Sequence, residues 1–173
     1  AESPELNILT YLYYYNGAGV LAADFNNDGL PDLYFAGNQQ KDELYINRGG
    51  WRFEALDTAS GISNESGWTT GVTHADVNGD GLEDIYVCKA SGYRALEGRN
   101  LLYINKGADE RGFPVFEEAA ADYGLDFSGL STQAAFFDYD LDGDLDLYLL
   151  NNFVNDRLSA SYRPKINDGS AAS

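Results

Sequence analysis

Asp24-Phe-Asn-Asn-Asp-Gly-Leu-Pro-Asp32, Asp76-Val-Asn-Gly-Asp-Gly-Leu-Glu-Asp84 and Asp138-Tyr-Asp-Leu-Asp-Gly-Asp-Leu-Asp146 are three copies of one nine-residue pattern, D-x-(N/D)-x-D-G-x-x-D. A run rich in aromatic and branched residues follows each copy: Leu33-Tyr-Phe35, Ile85-Tyr-Val-Cys88 and Leu147-Tyr-Leu-Leu150. Such runs suit strands, so each pattern reads as a loop between two strands. One copy could arise by chance. Three copies in one frame mark a duplicated unit.

The spacing suits a hard cation. Calcium takes six to eight oxygen ligands at about 2.3–2.6 Å. Side-chain oxygens at positions 1, 3 and 5 can curl around one point, and the Gly at position 6 permits the sharp reversal that follows. The proposed ligands are Asp24, Asn26, Asp28 and Asp32 in the first loop, Asp76, Asn78, Asp80 and Asp84 in the second, and Asp138, Asp140, Asp142 and Asp146 in the third. At position 7 the backbone carbonyls of Leu30, Leu82 and Asp144 are expected to complete each shell. The expectation is therefore three Ca²⁺ sites. The third loop carries four Asp where the others carry three, and added ligand charge tightens calcium binding, so it is expected to hold its ion best.

Two competing readings fail on the residues. An EF-hand needs an acid at position 12 between helices. Here that position is Phe35, Val87 or Leu149, beside strand-like runs. A plain Asp-Gly hairpin turn needs only its central pair. It has no use for acids at positions 1 and 9, which repel one another without a cation.

The loops begin at Asp24, Asp76 and Asp138, and other features keep their phase. A small-residue strand precedes each: Gly19-Val-Leu-Ala-Ala23, Gly71-Val-Thr-His-Ala75 and Gln133-Ala-Ala-Phe-Phe137. A third strand is expected at Leu44-Tyr-Ile-Asn47 and Leu101-Leu-Tyr-Ile-Asn105, and a fourth at Trp51-Arg-Phe-Glu54 and Pro114-Val-Phe-Glu117. The extra length of the second repeat falls in Ser91–Arg99 and Lys106–Phe113, both read as loop-like insertions. Four short antiparallel strands per unit at this period predict an all-β fold of β-propeller blades. The units run over 17–70, 71–131 and 132–173, with 1–16 as an N-terminal strand or extension. The third repeat has no further strands after Asn152, so about two and a half blades are expected. That is too few for a ring of about four to eight. The chain is accordingly read as a piece of a larger propeller, with copies assembling to close a ring as the alternative, and its open edges should promote self-association.

Composition narrows the partners. The chain has 28 acidic and 11 basic residues among 173, a net charge of −17. Three divalent ions would offset six of those charges. Nucleic acid is an unsuitable partner, since phosphate binding needs a basic face. No apolar stretch approaches the roughly 20 residues of a membrane helix. Cys88 is the only cysteine and reads as a small buried hydrophobe. Multi-Asp sites of this kind fill where calcium is near millimolar, which places the protein outside the cytosol: extracellular, at a cell surface or periplasmic.

The strand–loop–strand pattern Gly-Val-x-x-x-Asp-x-Asn-x-Asp-Gly-x-x-Asp-(Leu/Ile)-Tyr resembles the FG-GAP/VCBS repeat family, the calcium-loop blades of integrin α-subunits and many bacterial surface proteins. It looks closest to the bacterial branch related to cartilage acidic protein, over about Gly17–Asn152. Gln133 departs from the Gly found at 19 and 71. The resemblance implies a calcium-stabilised propeller of about seven blades. For activity it implies little, because the family spans adhesins, lectin-like modules and propellers attached to lyases.

Remaining residues are weighed on their phase. His74, the only histidine, falls where the other repeats have Ala22 and Phe136, so a packing or supporting role is expected. Tyr34, Tyr86 and Tyr148 recur after each loop, and Tyr45 and Tyr103 recur in the third strand; recurrence signals packing between blades. Tyr11, Tyr13, Tyr14 and Tyr15, with Tyr93 and Arg94, are out of phase. Leu9–Tyr15 reads first as a strand completing the last blade and second as a stacking platform for sugars, while Tyr93 and Arg94 lie in the Ser91–Arg99 insertion, where a binding face can form. The favoured function is a non-catalytic adhesion, recognition or scaffold module with a protein or glycan ligand. The alternative is the propeller part of a carbohydrate-active enzyme such as a polysaccharide lyase, with Tyr93, Arg94, Glu97 and Arg99 as the local candidates.

Overall fold

The computed structural model describes residues 3–11, 13–56, 60–62 and 67–152. The described residues form ten strands and no α-helix. Strands β1 (Gly19–Ala23), β2 (Asp32–Ala36), β3 (Glu43–Asn47) and β4 (Phe53–Ala55) make a first antiparallel meander. Strands β5 (Trp68–Ala75), β6 (Asp84–Ala90), β7 (Leu101–Ala108) and β8 (Pro114–Glu118) make a second. Strands β9 (Ser131–Phe137) and β10 (Asp146–Asn151) start a third. This is the all-β array of four-stranded blades expected from the repeat, and it stays open. The polar stretch Asn155–Ser173, from which further strands were expected to be missing, lies outside the described residues.

The sheets stack face to face because each buries alternate residues against its neighbour. Leu21, Ala23, Tyr34, Leu44 and Ile46 of the first sheet meet Val72, Ile85, Val87, Leu101, Tyr103 and Phe116 of the second. On its other face the second sheet presents Tyr86, Cys88, Leu102 and Ile104 to Ala134, Phe136, Leu147 and Leu149 of the third. Being covered on both sides, β6 is buried at every residue, whereas β10 is buried at none. The recurring tyrosines follow this rule. Tyr34, Tyr86 and Tyr103 are buried between sheets, while Tyr148 is 59% exposed on the uncovered face of the third.

The leading strands β1, β5 and β9 lie side by side. A Cβ on Gly71 would collide with the Thr132 carbonyl and the Gln133 side chain. The missing side chain at 71 therefore makes room for Gln133, whose Nε2 reaches the Val72 carbonyl at 3.5 Å.

A second repeated device joins the sheets at the ends of the strands away from the Asp-rich loops. Asp42 accepts bonds from the Tyr34 hydroxyl at 2.9 Å, the Gly37 N–H at 2.7 Å and the Thr69 hydroxyl of the next sheet at 3.4 Å. Asn100 stands in the same place one repeat later. It accepts from the Lys89 N–H at 2.9 Å and donates to the Tyr86 and Ser131 hydroxyls, both at 3.0 Å.

Three details differ from the expectation. Strand β4 starts at Phe53 instead of Trp51, because Gly49, Gly50 and Trp51 all take positive φ and extend the turn. The first three residues of the Lys106–Phe113 insertion are strand, since β7 continues to Ala108 past a register shift. The described part of Leu9–Tyr15 forms turns, not a strand. Asn7 organises them, its Oδ1 accepting the N–H groups of Leu9 and Thr10 at 2.9 and 3.2 Å. Tyr11 and Tyr14 then pack on Trp68, Ala90 and Leu96 as a third core.

Candidate metal sites in the loops

Each Asp-rich loop connects two paired strands across eight residues. The last pairs before the loops are Ala23↔Asp32, Ala75↔Asp84 and Phe137↔Asp146. A two-residue Asp-Gly hairpin would have paired the residues next to it, so the register excludes a simple turn. Asp32, Asp84 and Asp146 thus open the second strand of each unit, which fixes position 9 on a rigid element.

Within the loops the side-chain oxygens organise the backbone. Asp24 accepts the Asp28 and Gly29 N–H groups at 3.1 and 2.7 Å. Asp76 does the same for Asp80 and Gly81 at 2.9 and 2.8 Å, and Asp138 for Asp142 and Gly143, both at 3.1 Å. At position 5, Asp28, Asp80 and Asp142 each accept the position 7 N–H, from Leu30, Leu82 and Asp144, at 2.9 Å. The Asn side chains at position 3 are oriented. Asn26 Nδ2 donates to Asp28 and to the Gly112 carbonyl of the second sheet, which turns Oδ1 toward the Asp28 N–H. Asn78 is set the same way against Asp80. Carboxylate and amide oxygens carry two lone pairs, so an N–H bond leaves capacity for a cation.

Positions 4 and 6 both need left-handed backbone. Gly29, Gly81 and Gly143 supply it at position 6, and Asn27, Gly79 and Leu141 at position 4, with φ of 57°, 73° and 62°. The requirement at position 4 is invisible in the motif, because three different residue types meet it.

Position 9 differs most between sites. Asp32 and Asp84 are fully buried, and Asp146 is exposed. Asp32 accepts the Phe25 N–H at 3.1 Å and the Asn47 N–H at 2.8 Å. Asp84 accepts those of Val77 and Asn105 at 2.9 and 2.8 Å. Burial pushes the Asp32 carboxyl up to about 6, against the two N–H bonds that pull it down; Asp84 is raised for the same reason. A buried carboxylate with other Asp side chains beside it is what a bound cation would relieve. Among the described residues, Asp146 has the equivalent of the first clamp alone, from the Tyr139 N–H at 2.9 Å.

Among the described residues, one set of three acidic side chains has its donor atoms all within 4.8 Å of one another: Asp138, Asp140 and Asp146. In the first two loops an Asn takes the place of the third acid. The donors are all oxygens, on loops fixed at both ends, and this set suits a hard divalent cation. Asn47 and Asn105 support these carboxylates, and their recurrence as the last residue of Leu-Tyr-Ile-Asn is the sequence signal for that role.

Other candidates find structural partners. His74 Nδ1 lies 2.7 Å from Glu83 Oε2, with its ring edge-on to Phe25. Cys88 is buried, and burial pushes its thiol up to about 12. The Tyr93 hydroxyl donates to the Thr10 carbonyl at 2.9 Å, and the Arg94 guanidinium lies over the Tyr93 ring. Arg99 pairs with Glu118 at 3.1 Å and Asp126 at 3.7 Å. No helix among the described residues is long and apolar enough to cross a membrane.

No curated protein matches this chain. Residues 24–87 match the family described as FG-GAP-like repeat. That stretch begins at the first ligand of the first loop, contains the second loop whole and ends inside β6. Residues 24–87 thus carry the match to FG-GAP-like repeat, and the described strands form an open array of β-propeller-type blades around it.

Proposed function

We propose that the three loops bind Ca²⁺ and that the array works as a non-catalytic binding module. The supporting observation is the equivalence of the loops: each places oxygens at positions 1, 3, 5 and 9, with the ninth carboxylate held by backbone N–H at the start of a strand. The ions act structurally. They neutralise clustered Asp side chains and hold two strands of each blade together at the loop end.

The cation sites and the −17 net charge suit a calcium-rich compartment: extracellular, at a cell surface or periplasmic. There the module serves adhesion, recognition or scaffolding toward a protein or glycan. An enzymatic reading gains nothing from Tyr93 and Arg99, which hold the insertion to Thr10, Glu118 and Asp126, or from Arg94, which donates to Tyr93 within it.

Titration calorimetry with CaCl₂ tests the reading. The expected result is binding at all three loops, with one site lost when Asp76→Ala and Asp80→Ala are combined. No calcium heat up to millimolar concentration would overturn it.

A further inference from the structure

Building on the calcium reading, we propose that the first and second sites fill as a coupled pair, joined through Asn105. Asn105 is fully buried in β7, and its groups reach both loops. Its backbone N–H donates to Asp84 Oδ1 at 2.8 Å, the ninth ligand of the second loop. Its Nδ2 donates to the Glu83 carbonyl at 3.2 Å and, across the sheet boundary, to the Phe25 carbonyl at 2.8 Å. Phe25 in turn donates its N–H to Asp32 Oδ2 at 3.1 Å, the ninth ligand of the first loop.

The relay Asp32–Phe25–Asn105–Asp84 therefore links the closing carboxylates of two sites by three hydrogen bonds. Its position in the first loop matters. Phe25 lies between Asp24 and Asn26, the ligands at positions 1 and 3, and both of its peptide groups are held by the relay. Asn105 thus sets the backbone that presents those two ligands. At the loop tips a second link runs from Asn27 Nδ2 to the Gly81 carbonyl at 3.4 Å.

Water cannot substitute inside this network, because Phe25, Asp32, Asp84 and Asn105 are all fully buried. A shift of Asp84 on ion binding moves the Asn105 backbone. The amide then either carries the Phe25 carbonyl with it or leaves a buried polar group unpaired, which is costly. An ion in the second site therefore orders the first, and by linkage the reverse holds equally. Asn47 holds the matching place in the first sheet, its N–H on Asp32 and its Nδ2 on the Pro31 carbonyl.

The test is titration with CaCl₂ of the full chain carrying Asp138→Ala and Asp140→Ala, which leaves the first two sites. Disabling the second site with Asp76→Ala and Asp80→Ala should weaken the first about 5-fold or more, the lower end of ordinary coupling between sites. With Asn105→Ala added, the same step should change it less than about 2-fold. If Asn105→Ala does not fold, amide NMR on the native Asn105 decides. With the first site disabled by Asp24→Ala and Asp28→Ala, calcium at the second site should shift the Phe25 amide resonance. An unmoved Phe25 resonance, or a first-site affinity indifferent to the second, overturns the coupling. No calcium heat in the unsubstituted chain overturns the calcium reading and the coupling together.

Discussion

Replacing Asp32 with alanine removes a fully buried carboxylate that two backbone N–H groups share, those of Phe25 and Asn47. Each orphaned buried donor costs about 1–3 kcal/mol, so the two lost bonds cost about 2–6 kcal/mol together. Against this stands a relief. Burial raises the Asp32 carboxyl from 3.8 to about 6, so keeping it ionised at neutral pH costs the ion-free protein at most about 3 kcal/mol. The relief offsets up to about 3 kcal/mol of that cost. With the full relief, Asp32→Ala in excess chelator should therefore destabilise the chain by no more than about 3 kcal/mol. With calcium bound, the ion meets the charge and the relief disappears. The substitution should then cost the full 2–6 kcal/mol or so, plus the lost ligand. Urea unfolding of both proteins, with chelator and with millimolar CaCl₂, measures the difference. Equal losses in the two conditions would refute the reasoning, because the carboxylate would then be a hydrogen-bond acceptor and nothing more.

The same carboxyls set a pH dependence. A raised folded-state value means the folded, ion-free protein holds protons that the unfolded chain has released, so its stability should fall as pH rises from about 4 through about 6. Calcium should reverse that slope, since protons compete with the ion; chemical denaturation across this window reads both. Leu141 sits at φ 62° where the first loop has Asn27 at 57°, so Leu141→Asn should stabilise the chain by about 1 kcal/mol, measured by thermal melting. Among the sites, the four-Asp third loop should bind most tightly in titrations of single-loop Asp→Ala variants. Its exposed Asp146 works against that ranking, and equal or weaker affinity there would show that the second N–H clamp outweighs the added charge.

Much of this was legible in the sequence, for a physical reason. A loop that folds its own carboxylates back onto its backbone needs particular atoms at particular spacings, so Asp24, Asp76 and Asp138 announce their loops without any tertiary information. The strands announced themselves by recurrence, and Tyr34 and Tyr86 went between sheets as their phase required. What escaped depends on contacts between distant residues. Asn105 and Phe25 are eighty positions apart, and no local pattern pairs them. The tyrosines near the start have strand-like composition, yet Asn7 offers the backbone local hydrogen bonds that a strand would forgo, and the turns win. Trp51 looked like a strand residue, but two preceding glycines carry the turn through it.

The most direct test of the calcium account is the melting temperature of the purified chain in millimolar CaCl₂ against excess chelator. An ion present at about a hundred times its dissociation constant adds about 2.7 kcal/mol, or roughly 5–10 °C for a chain of this size. A rise of at least that much is the result the account predicts. Coincident melting curves in the two conditions would contradict it.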